Sequence, residues 1–242
     1  MNWEENPLDI RALTFDFWNT LAIDSKPAMV RELAAERMTT ELKKAGIEIS
    51  NEDMFIAFAE CRSICYSYQE DKEIDFVPKE QLDWILKYFK IEAPQDMWNR
   101  LFIHYTTSLF DIPPTFTEGL AGVLEKLKQS YKLAVICNTG RTPGWVVRKI
   151  LKDYLLEQYF DALVFSNETG IAKPNPAIFE ITARLLNTKP PLIMHVGDDP
   201  TTDVGGALRA GFRAGWYNPI GIEKDVECDI IIESLDELLE IE

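Results

Sequence analysis

The sequence lacks any clustered run of positive charge and any long apolar run. Its 25 Lys and Arg residues face 40 Asp and Glu residues, which gives a formal net charge of −15. A surface of this sign repels a phosphate backbone, so we expect no nucleic-acid partner. No apolar stretch approaches the roughly 18 residues that a membrane-spanning helix requires, so we expect no membrane partner. The acidic opening MNWEENPLD lacks the features of a secretory signal, and we expect a cytoplasmic protein.

Cysteine and histidine are also scarce. The four cysteines and two histidines form no CxxC pair and no spacing typical of a zinc site. Cys61 and Cys65 fall on an apolar helical stripe, which favours buried free thiols. What the chain does have is apolar material, 46% of 242 residues, which is enough for a sizeable core.

The region 25–110 has the apolar periodicity of helices. One stripe runs through Val30, Ala34 and Met38, and three similar stripes follow, so we predict a four-helix bundle. Its aromatic content is compatible with a homodimer. Five side chains of this region are candidates for contact with a substrate: Arg62, Tyr66, Tyr68, Trp84 and Trp98.

The remaining sequence alternates short apolar runs with helical segments. The runs lie at 10–15, 133–137, 162–165, 192–196, 212–216 and 230–232. This alternation predicts an α/β fold, a Rossmann-like parallel sheet with helices on both faces. The core would comprise 1–24 and 111–242. The bundle at 25–110 would then be a helical cap inserted after the first strand, with the prolines of DIPPTF marking the return to the core.

Polar residues follow four of the predicted strands, where parallel sheets bind their ligands. They are Asp16 and Thr20, then Asn138 and Thr139, then Lys173, and finally Asp198, Asp199 and Asp203. Such a set suits phosphoryl transfer, in which a carboxylate attacks phosphorus while Mg²⁺, a lysine and backbone N–H groups supply countercharge. The segment GDDPTTD also reads as a helix start, with Asp199 as N-cap and Pro200 in the first turn.

Four segments, DFWNTL, VICNTG, GIAKPNPAIFE and HVGDDPTTD, occur in this order. In this respect the chain resembles the haloacid dehalogenase-like hydrolase superfamily. The resemblance implies a Mg²⁺-dependent hydrolase that acts on a small phosphomonoester through an aspartyl-phosphate. The implied nucleophile is Asp16, and Lys173 would hold the nucleophile and the phosphoryl oxygens together. The implied metal site comprises Asp16, the backbone carbonyl of Trp18, and Asp198, Asp199 and Asp203. The implied contacts to the phosphoryl group are Thr20, Cys137, Asn138 and Thr139.

Two positions depart from the family pattern. Phosphatases of this family have a second Asp two residues after the nucleophile, which protonates the leaving alcohol and then activates water, whereas this chain has Trp18. Acid–base help of this kind is worth about 10²–10⁴ in rate, so we expect slow turnover of poor leaving groups. Asp24 is a conceivable substitute. The second departure is Cys137 in place of Ser or Thr, for which Thr139 could supply the hydroxyl.

Two alternatives remain open at this point. The 2-haloacid dehalogenases of the family also have an aromatic residue in place of the second Asp and need no metal. The chain could instead be a catalytically weakened protein that binds a phosphorylated ligand. The acidic segment GDDPTTD favours metal-dependent chemistry over the dehalogenase. The presence of Asp16, Lys173, Asp198 and Asp203 together argues against a protein that only binds its ligand.

Overall fold

The computed structural model describes residues 9–241, so positions 1–8 and 242 of the predicted core lie outside the described residues. Its centre is a six-stranded sheet in which every neighbouring pair of strands is parallel. The strands are β1 (Ala12–Phe15), β4 (Lys132–Cys137), β5 (Ala162–Phe165), β6 (Ile193–Gly197), β7 (Arg213–Tyr217) and β8 (Ile230–Ile232). Their spatial order is β5-β4-β1-β6-β7-β8. The predicted α/β class is therefore confirmed.

Helices cover both faces of the sheet because its strands are apolar on both sides. Successive side chains of a strand point to opposite faces, so Leu13 and Phe15 of β1 join one apolar cluster while Ala12 joins another. On the first face lie α5 (Leu120–Leu127) and α6 (Gly144–Asp153). The second face packs against α8 (Pro176–Leu185) and α9 (Gly206–Arg209), and the short α7 (Ser166–Thr169) follows β5.

Four helices lie between β1 and the rest of the sheet in sequence. They are α1 (Pro27–Lys44), α2 (Asn51–Lys72), α3 (Pro78–Tyr88) and α4 (Gln95–Thr106). Ser50 caps α2 by accepting the Asp53 N–H, and prolines open α1 and α3, where a missing N–H costs nothing. The four helices enclose an apolar cluster of their own, which includes Met38, Leu82 and Leu101. We call these helices the bundle; the domain boundaries at 24/25 and 110/111 stay a prediction.

A small second sheet stands where the chain enters and leaves the bundle. Its strands are β2 (Ala22–Ile23) and β3 (Thr115–Phe116), which pair antiparallel. Two-residue strands give no periodicity, so the sequence did not predict them. Their pairing fixes the two connections between bundle and sheet side by side.

The four cysteines are all free thiols, and three of them are buried. None of the helices described between residues 9 and 241 combines the length and apolar character needed to cross a membrane.

Candidate active site

Three carboxylates meet at the carboxyl edge of the sheet. Asp16 directly follows β1, Asp198 follows the neighbouring strand β6, and Asp203 lies in the helical turn after it (Pro200–Gly205). One oxygen from each lies within 4.8 Å of the others. In the sheet, β4 lies on one side of β1 and β6 on the other, so the strand order reverses at β1. The carboxylates therefore lie at the switch point where open α/β sheets bind ligands.

Lys173 lies buried between two of these carboxylates. Its Nζ donates to Asp16 Oδ1 and to Asp203 Oδ1, each at 2.6 Å, and the residue is 1% exposed. Burial by itself would lower the pKa of this ammonium, but the charges of Asp16 and Asp203 raise it above its ordinary value. Lys173 is therefore a permanent cation beside the predicted nucleophile.

Asp203 is held by more partners than its neighbours. Its Oδ1 also lies 3.2 Å from His195 Nε2, while its Oδ2 accepts the Asp199 N–H at 3.0 Å. Although burial raises the pKa of Asp203, the charge of Lys173 and the hydrogen bond with His195 outweigh it and hold that pKa below its usual range. Gly197 makes room for this carboxylate, because a Cβ at that position would lie 2.3 Å from it. Asp203 is thus a fixed anion that orients Lys173.

The other two carboxylates have raised pKa values. Burial raises the pKa of Asp16 to about 7 against the lowering effect of Lys173, and the charges of Asp203 and Asp198 add to it. Burial and the charge of Asp203 raise the pKa of Asp198 to about 6. Three carboxylates with a single lysine leave a local excess of negative charge. Their hard oxygen donors fit Mg²⁺, which would relieve this repulsion.

The loop after Asp16 turns sharply through Asn19, whose φ of 57° is a left-handed conformation that Asn tolerates. The Leu21 and Ala22 N–H groups donate to the Phe17 carbonyl, and the Asn19 N–H donates to the Ala22 carbonyl. The Trp18 carbonyl accepts none of these bonds, so it is available for the predicted metal role.

Asn138 acts on the lysine loop. Its Nδ2 donates to the Lys173 carbonyl at 2.8 Å, and its Oδ1 accepts the Lys173 N–H at 2.7 Å. Both ends of the amide are occupied in this way, so the side chain fixes the backbone that presents the Lys173 ammonium. The predicted phosphoryl contact by Asn138 stays a prediction.

Thr139 takes part in a buried network that includes a residue of the bundle. Its Oγ1 lies 2.9 Å from Asp75 Oδ2 and 3.1 Å from Ser166 Oγ, and Ser166 Oγ donates to Asp75 at 2.5 Å. Asp75 lies between α2 and α3, so the network joins the bundle to the ends of β4 and β5. Burial raises the pKa of Asp75 to about 6, against the lowering effect of these hydroxyl groups.

Three further predicted residues are not among the three carboxylates that meet. Thr20 is fully buried, and its hydroxyl has no hydrogen-bond partner among residues 9–241. Cys137 is the last residue of β4 and packs into the apolar cluster on the first face of the sheet. Burial raises the pKa of its thiol well above the ordinary value. Asp199 caps the following helical turn, as predicted, by accepting the N–H groups of Thr201 and Thr202 at 2.7 Å. The structure does not bring Asp199 into the three-carboxylate cluster.

A cleft of about 560 Å³ lies between the bundle and the carboxyl edge of the sheet. Trp18, Asn138 and Asp24 line it, so it adjoins the acidic cluster. Of the five bundle residues predicted as substrate contacts, Arg62 and Tyr66 line this cleft. The other three pack elsewhere: Tyr68 on Phe76, Trp84 on Tyr88, and Trp98 on Phe102.

Several residues of this region were missed in the sequence. Asp75 and Arg141 resemble ordinary polar positions of a helical linker and a turn, and their contacts come from segments far apart in the chain. His195 sits inside an apolar strand, where its role as a partner of Asp203 depends on the fold. The signal that could have revealed it is the polar residue in an otherwise apolar strand, IMHVG.

A sequence profile described as haloacid dehalogenase-like hydrolase matches residues 10–211. Among curated proteins, the chain is 24% identical over 237 residues to a glyceraldehyde 3-phosphate phosphatase of Pyrococcus furiosus, covering 96% of this chain and 92% of that protein. It is 28% identical over 214 residues to the 5-amino-6-(5-phospho-D-ribitylamino)uracil phosphatase YigB of Escherichia coli, covering 87% and 84% of the two chains.

Solved structures share the fold. A 2-haloacid dehalogenase from Pseudomonas syringae has a TM-score of 0.69 at 22% identity and covers 96% of this chain and 97% of its own. A phosphatase from Thermococcus onnurineus has a TM-score of 0.64 at 22% identity with the same coverage. At these identities the similarity concerns the fold alone, and both a dehalogenase and a phosphatase share it.

Proposed function

Because the chain belongs to the haloacid dehalogenase-like hydrolase family, whose profile covers residues 10–211, we propose that it is a Mg²⁺-dependent phosphatase of small phosphomonoesters. The observation that carries this proposal is the contact of Lys173 with Asp16 inside a cluster of three carboxylates. The curated relatives reported above are phosphatases by name, which supports the same reaction class.

Asp16 would be the nucleophile. One of its oxygens attacks phosphorus, the bond between phosphorus and the leaving oxygen breaks, and an aspartyl-phosphate forms on Asp16. Lys173 stays protonated and would neutralise charge on Asp16 and on the phosphoryl oxygens at the same time. Asp16, Asp198, Asp203 and the Trp18 carbonyl would hold Mg²⁺, which when bound supplies countercharge for the anionic phosphoryl group.

The replacement of the second Asp by Trp18 should slow the second half-reaction of an aryl phosphate more than the first. An aryl oxide leaves without a proton, so formation of the aspartyl-phosphate from an aryl phosphate needs no acid. Attack of water on the phosphorus of that intermediate does need a base, and the indole of Trp18 cannot act as one. We therefore expect the second step to be slow and the aspartyl-phosphate to accumulate. Asp24 lines the cleft and is the carboxylate that could replace the absent base.

The bundle would act as the cap of this site. Its contacts with the sheet edge support this role: Gln69 donates to the Thr139 carbonyl and Gln81 to the Gly140 carbonyl, each at 3.2 Å. Ile74 also bridges Ile171 in antiparallel fashion beside the lysine loop. A cover held at these points would exclude water from the cleft and select the substrate.

The second candidate function is halide displacement from a 2-haloacid, which the aromatic Trp18 favours. In that reaction the carbon–halogen bond breaks, an ester forms on Asp16, and water then attacks the carbonyl carbon of the ester. Oxygen from solvent therefore enters Asp16 in a dehalogenase, whereas it enters the released phosphate in the proposed phosphatase. A chain that only binds its phosphorylated ligand would do neither.

The experiment is phosphate release from a panel of alkyl and aryl phosphates, with Mg²⁺ and with chelator, for the wild type and Asp16→Asn. Release that requires both Mg²⁺ and Asp16, with the aryl phosphate fastest, is the expected result. Halide release from 2-chloropropionate that persists in chelator, with ¹⁸O from labelled water in the Asp16 peptide, would replace the proposal by the dehalogenase. Mg²⁺-dependent binding without any turnover would replace it by the binding protein.

A further inference from the structure

The cleft beside the proposed active site is lined by three guanidinium groups. Arg31 comes from α1, Arg62 from α2, and Arg141 from the loop after β4. Asp24 is the single carboxylate residue among the residues that line the described cleft. The chain as a whole has a net charge of −15, so the positive charge of this cleft is opposite in sign to that of the protein.

These three arginines are set apart by their lack of acidic partners. The chain has ten arginines, and six of them form an ion pair: Arg11, Arg37, Arg100, Arg148, Arg209 and Arg213. Within the described part of the chain, no carboxylate oxygen lies within 4.0 Å of a guanidinium nitrogen of the other four. Three of those four line the cleft, and the fourth, Arg184, is exposed on α8.

Arg141 is the most enclosed of the three. Its guanidinium lies 5.7 Å from the centres of the Phe58 and Tyr105 rings, and it donates to no acceptor among residues 9–241. Burial lowers the pKa of Arg141 and outweighs the raising effect of Tyr105 and Asp24, and the charges of Arg31 and Arg62 act in the same direction as burial. A partly buried cation with free donors and like charges nearby is costly, and an anion in the cleft would satisfy all of these groups.

Other residues that line the cleft belong to the proposed active site. Trp18 stands two residues after Asp16, and Asn138 holds the backbone of Lys173. A molecule whose phosphoryl group lies at Asp16 would therefore extend into the cleft towards the arginines. The planar fork of a guanidinium matches the paired oxygens of a carboxylate or phosphate.

We infer that Arg141, with Arg31 and Arg62, binds a second anionic group of the substrate, a carboxylate or a second phosphate, on the side away from the reacting phosphoryl group. This inference rests on the proposed phosphatase function and narrows its substrate class to phosphomonoesters with two anionic ends. Phosphates of uncharged sugars or polyols would leave the three cations without an acidic partner.

The test compares substrates that differ at the second group. The first pair is 3-phosphoglycerate and glycerol 3-phosphate, which differ in a carboxylate against a hydroxymethyl group. The second pair is fructose 1,6-bisphosphate and fructose 6-phosphate, which tests a second phosphate. We expect kcat/KM to favour the member with the second anionic group in one pair by roughly 10- to 100-fold, and the pair that shows the preference identifies the group.

Substitution of the arginines then locates that preference. Arg141→Gln, and the double variant Arg31→Gln with Arg62→Gln, should bring the ratio of kcat/KM within a pair close to one. Arg184→Gln is the matched control, because it removes an exposed arginine that has no ion pair, and it should keep the wild-type ratio. The double variant changes exposed positions, so it remains informative should Arg141→Gln fail to fold. A preference that survives in both cleft variants, or a wild type without preference in either pair, overturns the inference.

A binding measurement separates this inference from the proposed function. Calorimetric titration of Asp16→Asn with both members of each pair needs no turnover. Tighter binding of a compound with two anionic groups that disappears when Arg141→Gln is added upholds the second-anion site even where phosphate release fails. Turnover of phosphomonoesters with equal binding of both members upholds the phosphatase and overturns the second-anion site.

Discussion

Replacement of Lys173 by methionine tests how the acidic cluster is held together. The ammonium makes two contacts of 2.6 Å with Asp16 and Asp203 and is 1% exposed. Methionine fills most of the same space, so the change removes charge more than volume. Removal of one partner from a buried ion pair costs about 3–5 kcal/mol, because the remaining charge is left without compensation. We expect a loss of this size in the free energy of unfolding at pH 8.

The loss should shrink as the pH falls. Without the ammonium, the pKa values of Asp16 and Asp203 rise in the folded state above those of the wild type. The folded variant then binds protons that its unfolded chain releases, so acid stabilises it relative to the wild type. The deficit should therefore be largest at pH 8 and clearly smaller at pH 5.

Urea unfolding in the presence of chelator measures both effects. Lys149→Met is the matched control, because Lys149 makes an exposed ion pair with Asp153 and should lose less than about 1 kcal/mol. Addition of Asp203→Asn to Lys173→Met should recover part of the loss, since one uncompensated charge disappears. A loss below about 1 kcal/mol for Lys173→Met, or one that does not change with pH, would refute the compensation of charge by Lys173.

Three further outcomes are expected. Gly197→Ala places a Cβ 2.3 Å from the Asp203 carboxylate, so it should lower the free energy of unfolding by about 1–3 kcal/mol and reduce turnover. Gly122→Ala is the control, because a Cβ there meets nothing within 4 Å, and it should lower neither the free energy of unfolding nor the turnover. The pKa of Asp75 is raised from 3.8 to about 6, so between these pH values the folded chain binds a proton that the unfolded chain releases. Urea titrations should therefore show that the stability of the wild type rises by about 1 kcal/mol relative to Asp75→Asn when the pH falls from 7.5 to 5. An unchanged difference in stability would contradict the raised pKa. Trp18→Asp should increase kcat/KM for alkyl phosphates by about 10² or more relative to an aryl phosphate, because kcat/KM reports formation of the aspartyl-phosphate, the step that needs the acid. An unchanged alkyl-to-aryl ratio of kcat/KM in a folded, metal-binding variant would show that the missing acid is not the limitation.

The sheet could be predicted from the sequence because its strands are buried on both faces. Such strands are continuous apolar runs, and the predicted limits 162–165 and 230–232 coincide with β5 and β8. The meeting of Asp16, Lys173, Asp198 and Asp203 could also be predicted, since parallel strands end at one edge of the sheet. The short strands β2 and β3 could not, because two residues carry no periodic signal.

The rest of the site depends on contacts between distant segments. Asn138 appears in the sequence as a polar residue at a strand end, and nothing local shows that its amide pairs with the backbone 35 positions away. The contact of Thr139 with Asp75 requires the bundle to lie against β4, which no motif specifies. The position of Arg141 in the cleft could not be predicted either, since the residues around it come from α1, α2 and α4.

The most direct test of Asp16 as the nucleophile is a rapid acid quench of the wild type mixed with p-nitrophenyl phosphate and Mg²⁺. Because Trp18 cannot activate water, we predict a burst of nitrophenol close to one equivalent per enzyme, with a phosphoryl group found by mass spectrometry on the peptide that contains Asp16. Asp16→Asn should show neither the burst nor the modified peptide. Steady release of nitrophenol without any phosphoryl group on Asp16, or a phosphoryl group on another residue, would contradict the proposed mechanism.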